Sequence, residues 1–252
     1  MKPLLLALSF LTIIPSWGNK RATEEEMTAS LYFFPAVGLL IGACLVGIAY
    51  WVDILGLNLA GDALIIVAGI VLTGGFHWDG LMDTADGIFS GRSRERKLEI
   101  MKDSRIGAMG VLSLVTVILV KLAFLNHLSL SVKLWLLFLM PAVGRTLILL
   151  AISFFPYARN TPGLGTVFGP RPGKTPFWFA LLVLMAISYY FGNWWGLCYL
   201  LVTVLAAAIF CVWVSNILNG QTGDTYGAVC EITETLYLVA AVMIMQIYSA
   251  YL

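Results

Sequence analysis

The stretch Asp62–Gly87, DALIIVAGIVLTGGFHWDGLMDTADG, decides the fold. Its first half is a membrane-grade apolar run, Asp62–Phe76, and its second half carries Asp79, Asp83 and Asp86 within eight residues. Spacings of four and three place Asp83 and Asp86 about 40° and 20° from Asp79 around a helix, taking about 100° per residue. One helix face therefore holds all three, with neighbouring Cβ atoms roughly 5–6 Å apart. Like charges that close beside lipid repel unless cations offset them. Mg²⁺ is the expected compensator, because it prefers carboxylate oxygens and completes its shell with water and substrate phosphate. Gly74, Gly75, Gly80 and Gly87 punctuate the acids. Such helix-costly residues suit close approach to a ligand better than a routine solvated face. The stretch predicts metal-assisted phosphoryl chemistry at a membrane surface.

The rest of the chain extends the membrane reading. It is 60% hydrophobic and 12% charged, about half the charge of an average soluble domain, with mean hydropathy +0.90. Apolar runs predict spans near 31–52, 62–76, 108–125, 134–155, 176–191, 194–215 and 236–252. The expected fold is all-α: a polytopic integral membrane helical bundle of about seven transmembrane helices, with residues 1–252 forming a single membrane-embedded catalytic domain. Leu4–Ile14 is too short to span. Pro15-Ser16-Trp17-Gly18 offers no small-x-small cleavage site, so a retained re-entrant or interfacial segment is expected rather than a signal peptide.

Basic residues set the orientation. With the N-terminus cytoplasmic, Lys2, Lys20, Arg21, Arg92, Arg94, Arg96, Lys97, Lys102, Arg105, Arg159, Arg171 and Lys174 lie inside. Lys133 lies outside, and Lys121 and Arg145 fall within spans. Cys44, Cys198, Cys211 and Cys230 show no paired spacing and read as small buried hydrophobes. The lipid bilayer is the expected surrounding, no nucleic acid partner is expected, and protein partners are left open.

On this topology the acids and bases gather on the cytoplasmic side. Asp79, Asp83 and Asp86 open one loop and Lys102-Asp103-Ser104-Arg105-Ile106-Gly107 closes it. Asp224, Glu231 and Glu234 belong to a second loop without Lys or Arg. Metals would sit on the acidic wall while Arg and Lys hold phosphate oxygens opposite. Arg105, at the mouth of a span, reads equally as a phosphate contact or as snorkelling to lipid. Arg145, deep in a span, needs a partner or an aqueous cavity: an aspartate, or a ligand phosphate. His77 reads first as a structural or hydrogen-bonding residue, since Mg²⁺ prefers oxygen. Asn219-Gly220-Gln221-Thr222-Gly223-Asp224 lacks the Lys-Ser/Thr ending of a Walker loop, yet it could wrap a phosphate or nucleoside with backbone N–H groups. Arg159 is a further candidate anion contact. Most charges of the amphipathic segment Ser93–Met101 are expected to be solvated or to meet anionic lipid.

Taken together, these motifs resemble the signature of the cobalamin synthase (adenosylcobinamide-GDP ribazoletransferase) family. The match is carried by Gly74–Gly87, by Glu99–Gly107, and by Thr222-Gly223-Asp224 with Gly227-Ala228 and Glu231. The segments Leu11–Pro15 and Phe34–Gly38 also fit. The departures, at Phe76, Trp78, Met82 and Asn219, touch no acid. The resemblance implies a Mg²⁺-dependent transferase of the inner membrane acting late in cobalamin assembly. A hydroxyl of alpha-ribazole, or of alpha-ribazole 5′-phosphate, attacks the phosphate nearer the corrinoid in adenosylcobinamide-GDP. GMP leaves, and adenosylcobalamin or its 5′-phosphate forms.

Breaking a pyrophosphate anhydride in line needs metal ions, positive groups on the developing charge, and a base. Asp79, Asp83, Asp86, Asp224 and Glu231 are the expected metal ligands, with Asp86 shared between metal and base. Asp83, Asp86 and Arg105 are the expected catalytic residues, and Lys102, Arg105, Arg145, Arg159, His77, Thr222 and Gly223 the expected substrate contacts. Two alternatives fit less well. A CDP-alcohol phosphotransferase would carry Ala-Arg after its Asp-Gly pair and two further spaced acids. A cation transporter would place its ionisable groups near the midplane, often in repeated halves.

Overall fold

The computed structural model describes residues 2–15, 22–161, 163, 166–168 and 173–250, with side chains to Tyr248. Lys20, Arg21, Arg171, the Leu164-Gly165 pair and most of the Pro15–Gly18 stretch lie outside the described residues. Within them, every regular element is helical. In order they are α1 (Lys2–Leu11), α2 (Glu24–Ser30), α3 (Phe34–Ile54), α4 (Asn58–Thr73), α5 (Phe76–Ile88), α6 (Arg94–Ile100), α7 (Ala108–Asn126), α8 (Leu130–Phe154), α9 (Thr175–Leu218) and α10 (Gly223–Ala250). A lone parallel β-bridge joins Tyr157 to Gln221.

Burial separates centre from rim. In α8, 89% of the apolar window is buried inside the protein, against 17% in α7, so α8 is the axle and α7 a lipid-facing wall. Leu112 and Leu119 on α7, like Leu205 and Ile209 on α9, point outward as bilayer contacts. Gly38 and Gly42 on α3 press against the backbone of Ala142 and Phe138, leaving no room for a Cβ. This small-xxx-small face lets two apolar helices meet where lipid removes the hydrophobic drive. Helix α10 packs against α5, α7, α8 and α9.

Two breaks shape the site. Gly74 and Gly75, at φ 63° and 71°, close α4 in a Schellman turn, with Gly75 N–H donating to Ile70 O at 2.9 Å. Positive φ at two successive residues is a glycine conformation, and it bends α5 by 93° from α4. Farther on, Asn193 (φ 49°, ψ −139°) interrupts α9, and the backbone of Gly196 returns against Ser188 O. Seven spans are expected from sequence. Five described helices are long and apolar enough to cross, or up to six with the α4–α5 pair. The difference lies in α9: the expected spans 176–191 and 194–215 form one 44-residue run broken at Asn193.

Smaller elements tie the bundle's end together. Helix α1 buries Ala7 and Leu11, and Ile13 N–H donates to Leu72 O at 3.0 Å, so this short segment packs on the bundle. Ser93 caps α6. Arg94, expected to be solvated, instead donates from Nε to Leu218 O (2.7 Å) and from Nη2 to Ala158 O (2.6 Å). Lys97 donates to Ile88 O at 2.7 Å. Orphan carbonyls at the C-terminal ends of α5 and α9 are thus met by cations.

Candidate active site

The three aspartates lie on helix α5, on the helix face that their spacing predicts, with Asp79 exposed and Asp83 and Asp86 partly buried, and not in a loop. Glycine contacts set the distance between α5 and α10. A Cβ on Gly80 would meet Asp224 O at 2.6 Å, and one on Gly227 would meet His77 O at 2.8 Å. That close approach carries Asp224, in the first turn of α10, to the acidic face of α5. The charges acting on Asp83 are Asp79, Asp224, Asp86 and Arg159. Those acting on Asp224 are Arg159, Asp79 and Lys102.

Asp86 has a structural anchor that the sequence did not reveal. Its carboxylate accepts from Gly107 N–H at 2.7 Å and Gly110 N–H at 2.8 Å, satisfying orphan donors at the start of α7 and facing the positive end of that helix. A Cβ at Gly107 or Gly110 would collide with this carboxylate, which gives a reason for the glycines in Arg105-Ile106-Gly107-Ala108-Met109-Gly110.

The expected phosphate contacts divide. Arg159 reaches the acids, its Nη2 lying 2.5 Å from Asp224 Oδ2. Lys102 Nζ stands 3.3 Å from Thr161 Oγ1, among the charges that reach Asp224. Arg105 points away: 85% exposed, it pairs with Asp103 at 2.5 Å and, through hydrogen bonds, holds that carboxyl at about 2, below its usual range. Thr222 is buried; it exchanges hydrogen bonds with Thr225 at the start of α10 (2.8 and 3.2 Å) and bonds Asp224 at 3.2 Å. Gly223 opens α10 beside it.

A second charged cluster lies deeper, among His77, Lys121, Arg145, Glu231 and Glu234, all nearly excluded from solvent. Lys121 Nζ sits 2.6 Å from Glu231 and 2.9 Å from Glu234, with its ammonium over the Trp78 ring at 4.7 Å. Arg145 pairs with Glu234 and lies 3.3 Å from His77 Nδ1. Two expectations change here. Glu231 and Glu234 are not loop residues without cations but helical residues of α10, neutralised from α7 and α8. Arg145 pairs with a glutamate, not an aspartate. Lys121 is the member that sequence reasoning noted only as lying within a span; a lysine in mid-span is itself a signal, because it needs a partner.

Metal chemistry separates the two clusters. His77, Cys230 and Glu231 offer ligand atoms within 4.8 Å of one another. However, Arg145 can only donate to His77 Nδ1, Lys121 already holds Glu231, and two cations oppose a third. No three aspartate carboxylates approach that closely among the described residues. Their donor set is nevertheless hard oxygen throughout, which fits Mg²⁺. A guanidinium, that of Arg159, already stands against Asp224 as a cation.

The model for the cobalamin-5-phosphate synthase family matches residues 3–242. An adenosylcobinamide-GDP ribazoletransferase from Desulforamulus reducens is 48% identical over 232 residues, 92% of each chain. Proteins of the same name from Desulfitobacterium hafniense (39% over 252 residues, 96% of each chain) and Roseiflexus sp. (41% over 240 residues, 94% of this chain and 87% of the relative) are also similar. No solved structure matches the chain. A match over nearly its full length, with the acids of α5 and α10 brought together, places this chain in the cobalamin-5-phosphate synthase family.

Proposed function

We propose that the chain is an adenosylcobinamide-GDP ribazoletransferase, joining alpha-ribazole or its 5′-phosphate to the cobinamide phosphate with release of GMP in a late step of cobalamin biosynthesis. The observation that carries this reading is the gathering of Asp79, Asp83, Asp86 and Asp224 beside Arg159 and Lys102 in a chain that resembles such enzymes end to end. Residues 1–252 act as one membrane-embedded catalytic domain. It crosses the inner membrane seven times when the halves of α9 are counted separately, with the N-terminus and the acids on the cytoplasmic side.

Asp79 and Asp224 would hold Mg²⁺, which leaves Asp83 uncommitted as the base. The ion supplies charge neutralisation on the anhydride oxygens and on the leaving phosphate. Asp86, with one amide donating to each of its two carboxylate oxygens, keeps α7 docked and completes the acidic wall. Asp83 then takes the proton of the incoming ribazole hydroxyl as its oxygen bonds to phosphorus and the anhydride P–O bond to GMP breaks. Arg159 and Lys102 bind the phosphate oxygens, and Arg105 joins them only by releasing Asp103. Glu231, Arg145 and His77 support the site from beneath, and Thr222 and Gly223 set the start of α10.

The test is to incubate detergent-purified protein with Mg²⁺, adenosylcobinamide-GDP and alpha-ribazole 5′-phosphate and to score GMP. Mg²⁺-dependent GMP release with a corrinoid product is expected. Absence of GMP release, or metal flux in proteoliposomes without anhydride cleavage, rejects the proposal.

A further inference from the structure

We propose that Arg159 is a resident counter-ion that is exchanged for the divalent cation at Asp224 and then carries the substrate's phosphates. This rests on the metal reading above. Arg159 Nη2 lies 2.5 Å from Asp224 Oδ2, the two side chains only 12% and 25% exposed, and its charge also reaches Asp83. The guanidinium therefore already occupies the carboxylate of Asp224, the one that a divalent cation would need. Its Nε is buried and meets no acceptor among the described residues. Arginine presents donors in a planar fork suited to phosphate, so this orphan N–H is a donor ready for a ligand oxygen.

The backbone makes the exchange a side-chain movement. Ala158 N–H donates to Gln221 O at 2.7 Å and Gln221 N–H to Pro156 O at 2.8 Å, and Arg94 holds Ala158 O at 2.6 Å. Arg159 is thus anchored one residue from a clamped backbone bridge, so release of Asp224 needs only its long side chain to turn. A divalent cation at Asp224 would meet a like charge unless the guanidinium left. Once released, it finds the negative charge of the incoming diphosphate, with Lys102 already close. Metal and anion then favour each other's binding through one residue, and that coupling is reciprocal.

Mn²⁺ binding to the detergent-purified full chain, followed by electron paramagnetic resonance without nucleotide, tests the exchange. Arg159→Gln should bind Mn²⁺ about tenfold more tightly than the unsubstituted protein and Asp224→Asn about tenfold more weakly, each about 1.4 kcal/mol. Arg96→Gln, an exposed change on α6, should stay within about twofold, the size expected of a screened charge. Arg159→Lys, which keeps the charge and loses the fork, should fall between. A second readout follows the side chain itself: Mn²⁺ should speed tryptic cleavage after Arg159, and added GDP should slow it again. Unchanged or weaker Mn²⁺ affinity in Arg159→Gln, or cleavage indifferent to Mn²⁺, overturns the exchange while leaving the metal site standing. Failure of the unsubstituted protein to bind Mn²⁺ at all removes the metal reading and the exchange with it.

Discussion

Replacing Lys121 with methionine tests the deep cluster most directly. Lys121 and Arg145 balance Glu231 and Glu234, so the buried group is neutral overall with His77 uncharged. Removing the ammonium, 4% exposed and within 2.9 Å of both glutamates, leaves one net negative charge among α5, α7, α8 and α10. Breaking a buried pair from one side costs about 3–5 kcal/mol, and the Trp78 contact is lost as well. For a protein of this size that is a fall in melting temperature of roughly 6–20 °C. Cys211 and Cys230 are buried, whereas Cys44 and Cys198, expected from sequence to be buried, are exposed; with Cys44 and Cys198 replaced by alanine, a thiol-reactive fluorophore reports unfolding in detergent. The double variant Lys121→Met with Glu231→Gln restores neutrality and should recover most of the loss. Melting within about 2 °C of the unsubstituted protein, under 1 kcal/mol on that scale, would refute the argument. So would a double variant no more stable than the single one, since a coupled pair must depart from additivity.

Asp83→Asn should lower turnover at least about a hundredfold, the usual contribution of a general base, while membrane insertion by fractionation stays normal; near-normal turnover removes Asp83 from the mechanism. Gly80→Ala drives a methyl into Asp224 O and should destabilise by about 1–3 kcal/mol, with GMP formation reduced; an unaffected melting curve would mean that α5 and α10 are farther apart. Arg94→Ala removes two charge-assisted bonds worth about 1.5–3 kcal/mol each, and hydrogen exchange should rise at Ala158 and Gln221 if Arg94 clamps that pair. Asp103, held at about 2 by Arg105, contributes its pairing fully above its ordinary value of 3.8 and loses it as pH falls through about 2. In Arg105→Gln its titration by carbon NMR should move up toward 3.8, and an unmoved titration would show that another group holds it.

Much of the site is legible in the sequence because spacing on a helix is a local property. Asp79, Asp83 and Asp86 share a face whatever packs against it, and Asp224 joins them as the first acid of the other polar segment. Partners joined only through tertiary packing are not legible. Nothing near Glu231 in the chain announces Lys121, 110 positions away, and nothing near Asp86 announces that α7 uses it as a cap. Arg105 misleads for a related reason: its neighbour Asp103 captures it within two residues, a competition that counting cations along a loop does not weigh. The break in α9 is legible as two spans, because 44 helical residues would extend about 66 Å at 1.5 Å each, roughly twice a hydrocarbon core. Asn219 shows tolerance at a single position: it takes the left-handed conformation (φ 57°), the non-glycine residue best suited to end a helix that way.

The paired glycines between α4 and α5 also decide how the enzyme meets membranes of different thickness. A helix facing a thicker or thinner bilayer tilts to match it, and in a continuous rod such a tilt would pass to every residue beyond. Here the tilt of α4 meets a joint without side chains, while α5 takes its placement from α7 and α10. The acidic face is therefore mechanically insulated from acyl-chain length, and reconstitution across lipids of increasing chain length should leave turnover nearly flat.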